Sequence, residues 1–221
     1  MFIGHYGIAL AAKRVVPETS LGTLVLSAQF LDLLWPLFLL LGVEHVRIDP
    51  GNTVATPLDF YDYPITHSLV GAVGWAVVLG LLYRFRSGSC RVARTIAALV
   101  VSRWVLDAIV HRPDLPLLPG SEIRIGLGLW NSLAATLVIE FVLLLGGGAI
   151  YLRTTRASSR SGAIMPWLFI GVLAAIELAN LFGPPPPSVN AIAFSCLGLC
   201  LFVWWAHRFD FRRRSIFAGI S

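Results

Sequence analysis

Residues 127–151 read LGLWNSLAATLVIEFVLLLGGGAIY, and in that whole run the only side chain charged at neutral pH is Glu140. Coiled as an α-helix the run would be about 37 Å long, more than the roughly 30 Å of a bilayer's hydrocarbon core. A soluble core helix is neither so long nor so uniformly apolar, so the stretch predicts a membrane span. Comparable runs lie at about 21–41, 66–84, 95–111, 164–182 and 189–207. A shorter apolar segment, 2–16, precedes them, and Pro17, Glu18, Thr19 and Ser20 supply the turn between it and the first long run. The fold class that follows is all-α, a polytopic transmembrane bundle of six long spans plus a short N-terminal helix.

Composition agrees with this. The 221 residues are 57% hydrophobic and only 13% charged, with a mean hydropathy of +0.77. That is too little polar surface for a soluble protein of this size. The length holds one transmembrane domain, with chemistry-bearing motifs in 1–126 and further spans and a basic tail in 127–221. The net charge of +5 does not predict a nucleic-acid partner, because no basic face with interleaved aromatics lies outside the apolar runs. Lys13 and Arg14, then Arg84, Arg86, Arg91 and Arg94, then Arg153, Arg156 and Arg160, then Arg208, Arg212, Arg213 and Arg214 mark alternate loops. The positive-inside rule places these in the cytoplasm. The expected location is therefore a bacterial inner membrane, crossed several times, with the C-terminus cytoplasmic and membrane lipids as partners. Lys13 and Arg14 follow the first apolar stretch instead of preceding it, which is the wrong order for a signal peptide. Cys90, Cys196 and Cys200 form no disulfide framework and read as packing residues.

Ionisable groups inside membrane helices are costly and usually face a cavity or one another. Measured from the cytoplasmic helix ends, His5 and Asp32 both fall roughly 18 Å up, and Asp107 and Glu140 roughly 20 Å up. His67 lies somewhat higher, and His111 stands one turn beyond Asp107. These groups are expected to converge on one layer in the outer half of the membrane. Two imidazoles and two carboxylates with a further His nearby form a plausible metal set: His5, Asp32, His67, Asp107 and His111. Imidazole and carboxylate suit zinc, with manganese or iron as alternatives. A buried polar network that fixes helix packing is the other reading. Glu140 and Arg103 are the candidate catalytic residues, Glu140 as a base or ligand and Arg103 as the partner of Asp107 or part of an anion site. Glu177 and Asn180 either line the same cavity or are structural, and Thr66 is placed to cap the helix after Pro64. His45 and His207 read as interfacial, and the loop 112–126 as a lid or an interfacial loop.

Four stretches then carry a resemblance: GHYGIAL (4–10), FLDLLWP (30–36), PITHSL (64–69) and SRWVLDAIVHRPDLPLLP (102–119). In this order they resemble a bacterial family of predicted membrane-bound metal-dependent hydrolases, over roughly the first 120 residues. The resemblance implies that His5, Asp32, His67 and Asp107 are metal ligands and that a metal-bound water is the nucleophile. A zinc-type ion would lower the pKa of that water to about 7. The family pattern departs here at three places. Leu33, Leu34 and Trp35 follow Asp32 where the family usually has Asp-x-Asp-His, Asp62 and Tyr63 stand where it has a His-Arg pair shortly before Thr-His-Ser, and Arg103 stands where it has a His.

Three functions follow as expectations. The first is a metal-dependent hydrolase of a lipid-like or envelope ester or phosphoester. The second is a proton- or ion-coupled transporter, against which stand the missing inverted repeat and the lack of matching Gly/Pro-broken helix pairs. The third is a non-catalytic scaffold subunit.

Overall fold

The structure is a computed structural model and describes residues 1–216. The described part is helical: α1 (Ile3–Ala12), α2 (Leu21–Ala28), α3 (Phe30–Leu40), α4 (Leu69–Ser87), α5 (Cys90–Val110), α6 (Leu133–Thr154), α7 (Arg160–Phe182), α8 (Val189–Leu197) and α9 (Leu199–Asp210). Three two-stranded antiparallel pairs sit in the loops. They are β1 (His45–Ile48) with β2 (Leu58–Asp62), β3 (Leu115–Pro116) with β4 (Arg124–Ile125), and β5 (Thr155–Ala157) with β6 (Arg213–Ser215).

Serine opens six of the helices. Ser20, Ser68, Ser89, Ser132, Ser159 and Ser188 each accept a hydrogen bond from the backbone N–H three residues on. This satisfies one of the donors that a helix start leaves unpaired. Ser68, not Thr66, is therefore the cap of α4. Between α4 and α5, Gly88 adopts the left-handed conformation at φ +69°, which ends one helix and turns the chain straight into the next.

Four helical stretches are long and apolar enough to cross a membrane: α4, α6, α7 and the α8–α9 pair, or five with α2–α3 taken as one bent span. Six is more than length and composition support. The run 95–111 does lie in a 21-residue helix, α5, but that helix also carries Arg91, Arg94, Arg103 and Asp107. The run 21–41 is broken at Gln29 into α2 and α3, bent by 53°. Pro36 inside α3 has no N–H to offer the carbonyl of Asp32, one turn back. The run 189–207 is likewise divided at Gly198. Broken helices are thus present, and they pair up, with α2 on α9 and α3 on α8.

α1 lies on α6 with backbones nearly touching. A Cβ at Gly7 would collide with the main chain of Leu143 and Leu144, and one at Gly147 with the main chain of Gly7. Gly147→Ala is therefore expected to cost about 1–3 kcal/mol through overpacking. Gly146→Ala, which faces open space, should melt with the wild type in detergent. Equal melting of the two variants would show that α1 is not packed as described.

The arginine-rich end is closed by a polar knot. Asp210 accepts from Lys13 Nζ (2.6 Å), the Leu21 amide (2.9 Å) and the Tyr151 hydroxyl (2.9 Å). Pro166 leaves the carbonyl of Gly162 without its helical donor, and Arg213 supplies one at 2.6 Å. The other end carries the β1–β2 hairpin, the 112–132 connection and the proline run.

Candidate functional site: an ion cluster under a cavity

Arg103 sits at the centre of the bundle, 5% exposed. Its Nη1 donates to His5 Nε2 and pairs with Asp107 Oδ1, and its Nη2 pairs with Asp32 Oδ1. The α-amino group of Met1 donates to the same Asp107 oxygen at 3.0 Å, and His5 Nε2 lies 3.3 Å from it. Three helices meet here: α1 brings His5, α3 brings Asp32 in its first turn, and α5 brings Arg103 and Asp107 one turn apart. His67, just before α4, completes the layer with its Nε2 3.6 Å from Asp32 Oδ1.

His67 is held from behind. Glu44, 1% exposed, accepts the amides of Ile65 (2.7 Å) and Thr66 (2.8 Å) on one oxygen, and the Thr66 hydroxyl (2.6 Å) on the other. The Thr66 oxygen, its single proton given to Glu44, accepts from His67 Nδ1 at 2.6 Å. That fixes Nδ1 as the protonated nitrogen and turns Nε2 toward Asp32 and the cavity. The indole of Trp104 holds the carbonyl of His67 at 2.8 Å. Nothing in a lone Glu at the start of a loop signals from the sequence that it will be buried.

His111 does not join the cluster. It ends α5, and its Nδ1 lies 2.9 Å from Asp114 Oδ1, which also accepts the Tyr63 hydroxyl at 2.9 Å. Burial, and then the Asp114 carboxylate, hold the Tyr63 phenol well above its usual pKa. It therefore stays a donor. The His111-x-x-Asp114 spacing was the available signal for this pair. Glu140 is also diverted. Its two oxygens accept the amides of Phe2 and Gly4, each at 2.7 Å, so it caps the start of α1 from across the interface.

Above the cluster lies a cavity of about 670 Å³. Asp32, His67 and Arg103 form part of its floor, and His111, Glu140 and Glu177 also line it. Two helix faces wall it, Ile176, Ala179 and Asn180 of α7 and Ile192, Ser195 and Cys196 of α8. α8 leans on α3 while α7 packs on α6 and α9, and this divergence opens the space between them. The rim is made by residues 50–57 and the Pro184–Pro187 run. The 112–126 loop, for which the sequence allows a lid or an interfacial loop, does not line it.

The expected metal centre is not formed. Among the described residues no group of three or more His, Cys, Asp or Glu is placed to share an ion. The physical reason is Arg103. The lone pairs of His5 Nε2, Asp32 Oδ1 and Asp107 Oδ1 all face a permanently charged guanidinium. A second cation would meet repulsion and displaced hydrogen bonds. The five expected ligands thus divide: His5, Asp32 and Asp107 surround Arg103, His67 stands beside Asp32, and His111 pairs with Asp114. No protein family, curated protein or solved structure matches this chain.

Proposed function

We propose that this protein is a multi-pass membrane protein that takes an amphiphile from the outer leaflet into the α7–α8 cavity. The observation that carries the reading is the cavity itself, with apolar helix faces for walls and a floor of buried charge. Such a lining, apolar with a few convergent polar groups, suits a molecule that is part chain and part headgroup. In this reading α2–α3 is one bent span and α5 is a span whose charges turn inward to the cluster. That gives six crossings plus the short α1. The arginine-rich loops and the C-terminus lie on the cytoplasmic side, and the rim of the cavity lies outside. The test is retention. Full-length protein purified in a mild maltoside should carry a co-purifying lipid-like molecule or bind an added one saturably, and a Ser195→Trp variant that fills the cavity should not.

A second reading is favoured by the Glu44–Thr66–His67 chain: the cavity hydrolyses an ester of the bound amphiphile. His67 Nε2 would take a proton from water as the water oxygen adds to the ester carbonyl carbon. It would return that proton to the departing alkoxide, leaving a carboxylic acid and an alcohol. A metal would have to displace Arg103, so no step is routed through one. His67→Gln is expected to lower turnover of a lipid ester by about 10²–10⁴-fold. Glu44→Gln should lower it less, because the imidazole stays but loses its orientation. Esterase activity equal in His67→Gln and wild type would remove this reading and leave the binding one standing.

A further inference from the structure

Of the charged groups that line the cavity, all but one are already satisfied. Arg103 is shared between Asp32 and Asp107, the Met1 amine is paired with Asp107, and Glu140 holds two backbone amides. Glu177 is the exception. It is 4% exposed, it lines the cavity, and no hydrogen bond or ion pair reaches it from the described residues. The charges that act on it are a second carboxylate, Glu140, and in the opposite sense the Met1 amine, which Asp107 already holds. A buried carboxylate without a partner is costly, so whatever fills the cavity has to bring it a donor or a positive charge.

The same cavity is lined by aromatic rings. Trp35, Phe60 and Trp130 form a continuous wall, with ring centroids 5.5 Å apart for Trp35–Phe60 and 5.9 Å for Phe60–Trp130. The faces of such rings attract cations, most strongly once water is excluded. His111 packs at a tilt against this wall, its ring centroid 4.2 Å from that of Trp130. Its Nδ1 is turned to Asp114, so it brings no competing full charge while neutral. An unpaired carboxylate and an aromatic wall lining one cavity discriminate against an anionic headgroup and favour a positive one.

We infer that the cavity selects an amphiphile with an ammonium headgroup, whose nitrogen pairs with Glu177 while its chain lies between α7 and α8. This rests on the amphiphile-binding reading above. The experiment titrates full-length protein in maltoside with four probes below their micellar concentrations, followed by tryptophan fluorescence. The probes are dodecyltrimethylammonium, dodecyl phosphate, dodecanol and tetramethylammonium. The ammonium amphiphile should bind saturably and more tightly than the two chain-matched probes. Glu177→Gln should weaken it by at least about tenfold while leaving dodecanol unchanged. Equal binding of the three chain-bearing probes, unaffected by Glu177→Gln, would overturn the headgroup selection and leave the cavity reading intact. No saturable binding of any chain-bearing probe would overturn both. Tetramethylammonium binding as tightly as the amphiphile would assign the site to a free amine and overturn the lipid source.

Discussion

Arg103→Ala is expected to lower stability by about 3–5 kcal/mol, because it leaves Asp32 without its counter-charge and Asp107 with the Met1 amine alone. Asp107 is wholly buried and Asp32 nearly so. Both pair with one guanidinium, which also occupies His5. Arg103→Lys should recover only part of the loss. A single ammonium has no rigid fork to span Asp32 and Asp107 together. The triple change Arg103→Leu with Asp32→Asn and Asp107→Asn should melt closer to the wild type than Arg103→Ala alone, since removing all the charges also removes the unpaired ones. Thermal melts in one detergent, read by tryptophan fluorescence, make this comparison. An Arg103→Ala protein that melts with the wild type would show that the cluster does not hold the bundle together.

Glu140→Ala should release α1. Its carboxylate accepts the amides of Phe2 and Gly4 at 2.7 Å each. Charged hydrogen bonds of this kind contribute about 1.5–3 kcal/mol apiece, and the positive end of the helix dipole adds to them. A loss of about 3 kcal/mol, concentrated in α1, is expected. Hydrogen–deuterium exchange should rise sharply in residues 2–12 while peptides from α4 stay protected. Glu140→Gln, which keeps one acceptor oxygen, should fall between. Uniform exchange across the bundle, or none at all, would contradict a capping role and return Glu140 to the list of candidate bases.

How far the sequence could be read depended on which physical signal each feature leaves. The spans at 66–84, 127–151, 164–182 and 189–207 were legible because apolar length is a direct mark of a membrane helix. The break at Gln29 was not. Neither Gln29 nor its neighbours is a Gly or Pro, and Pro36 lies seven residues on, so an unbroken run was the natural reading of 21–41. The meeting of His5, Asp32 and Asp107 was legible from depth alone, since equal distances from the helix ends bring side chains to one height. What depth does not reveal is azimuth. It placed Glu140 and His111 in the same layer, yet one turns to the amides of α1 and the other to Asp114. Arg103 was read as a partner of Asp107. That it would also take His5 and Asp32, filling the space expected for a metal, required the three helices to be seen together. The hairpin β1–β2 and the buried Glu44 lie in a loop whose charges suggested only a solvated surface.

The measurement that bears most directly on the amphiphile-binding cavity is photo-crosslinking with a fatty-chain amphiphile that carries a diazirine near its chain end, mapped by mass spectrometry on the full-length protein. Crosslinks should fall on the facing walls, at Ile176, Ala179, Ile192 and Ser195, and excess unlabelled amphiphile should compete them away. Labelling confined to the exposed outer faces of α4 and α6, at Val77, Leu81, Val138 and Val142, and indifferent to competitor, would mean that the chain meets only the surrounding bilayer and that the cavity takes no amphiphile.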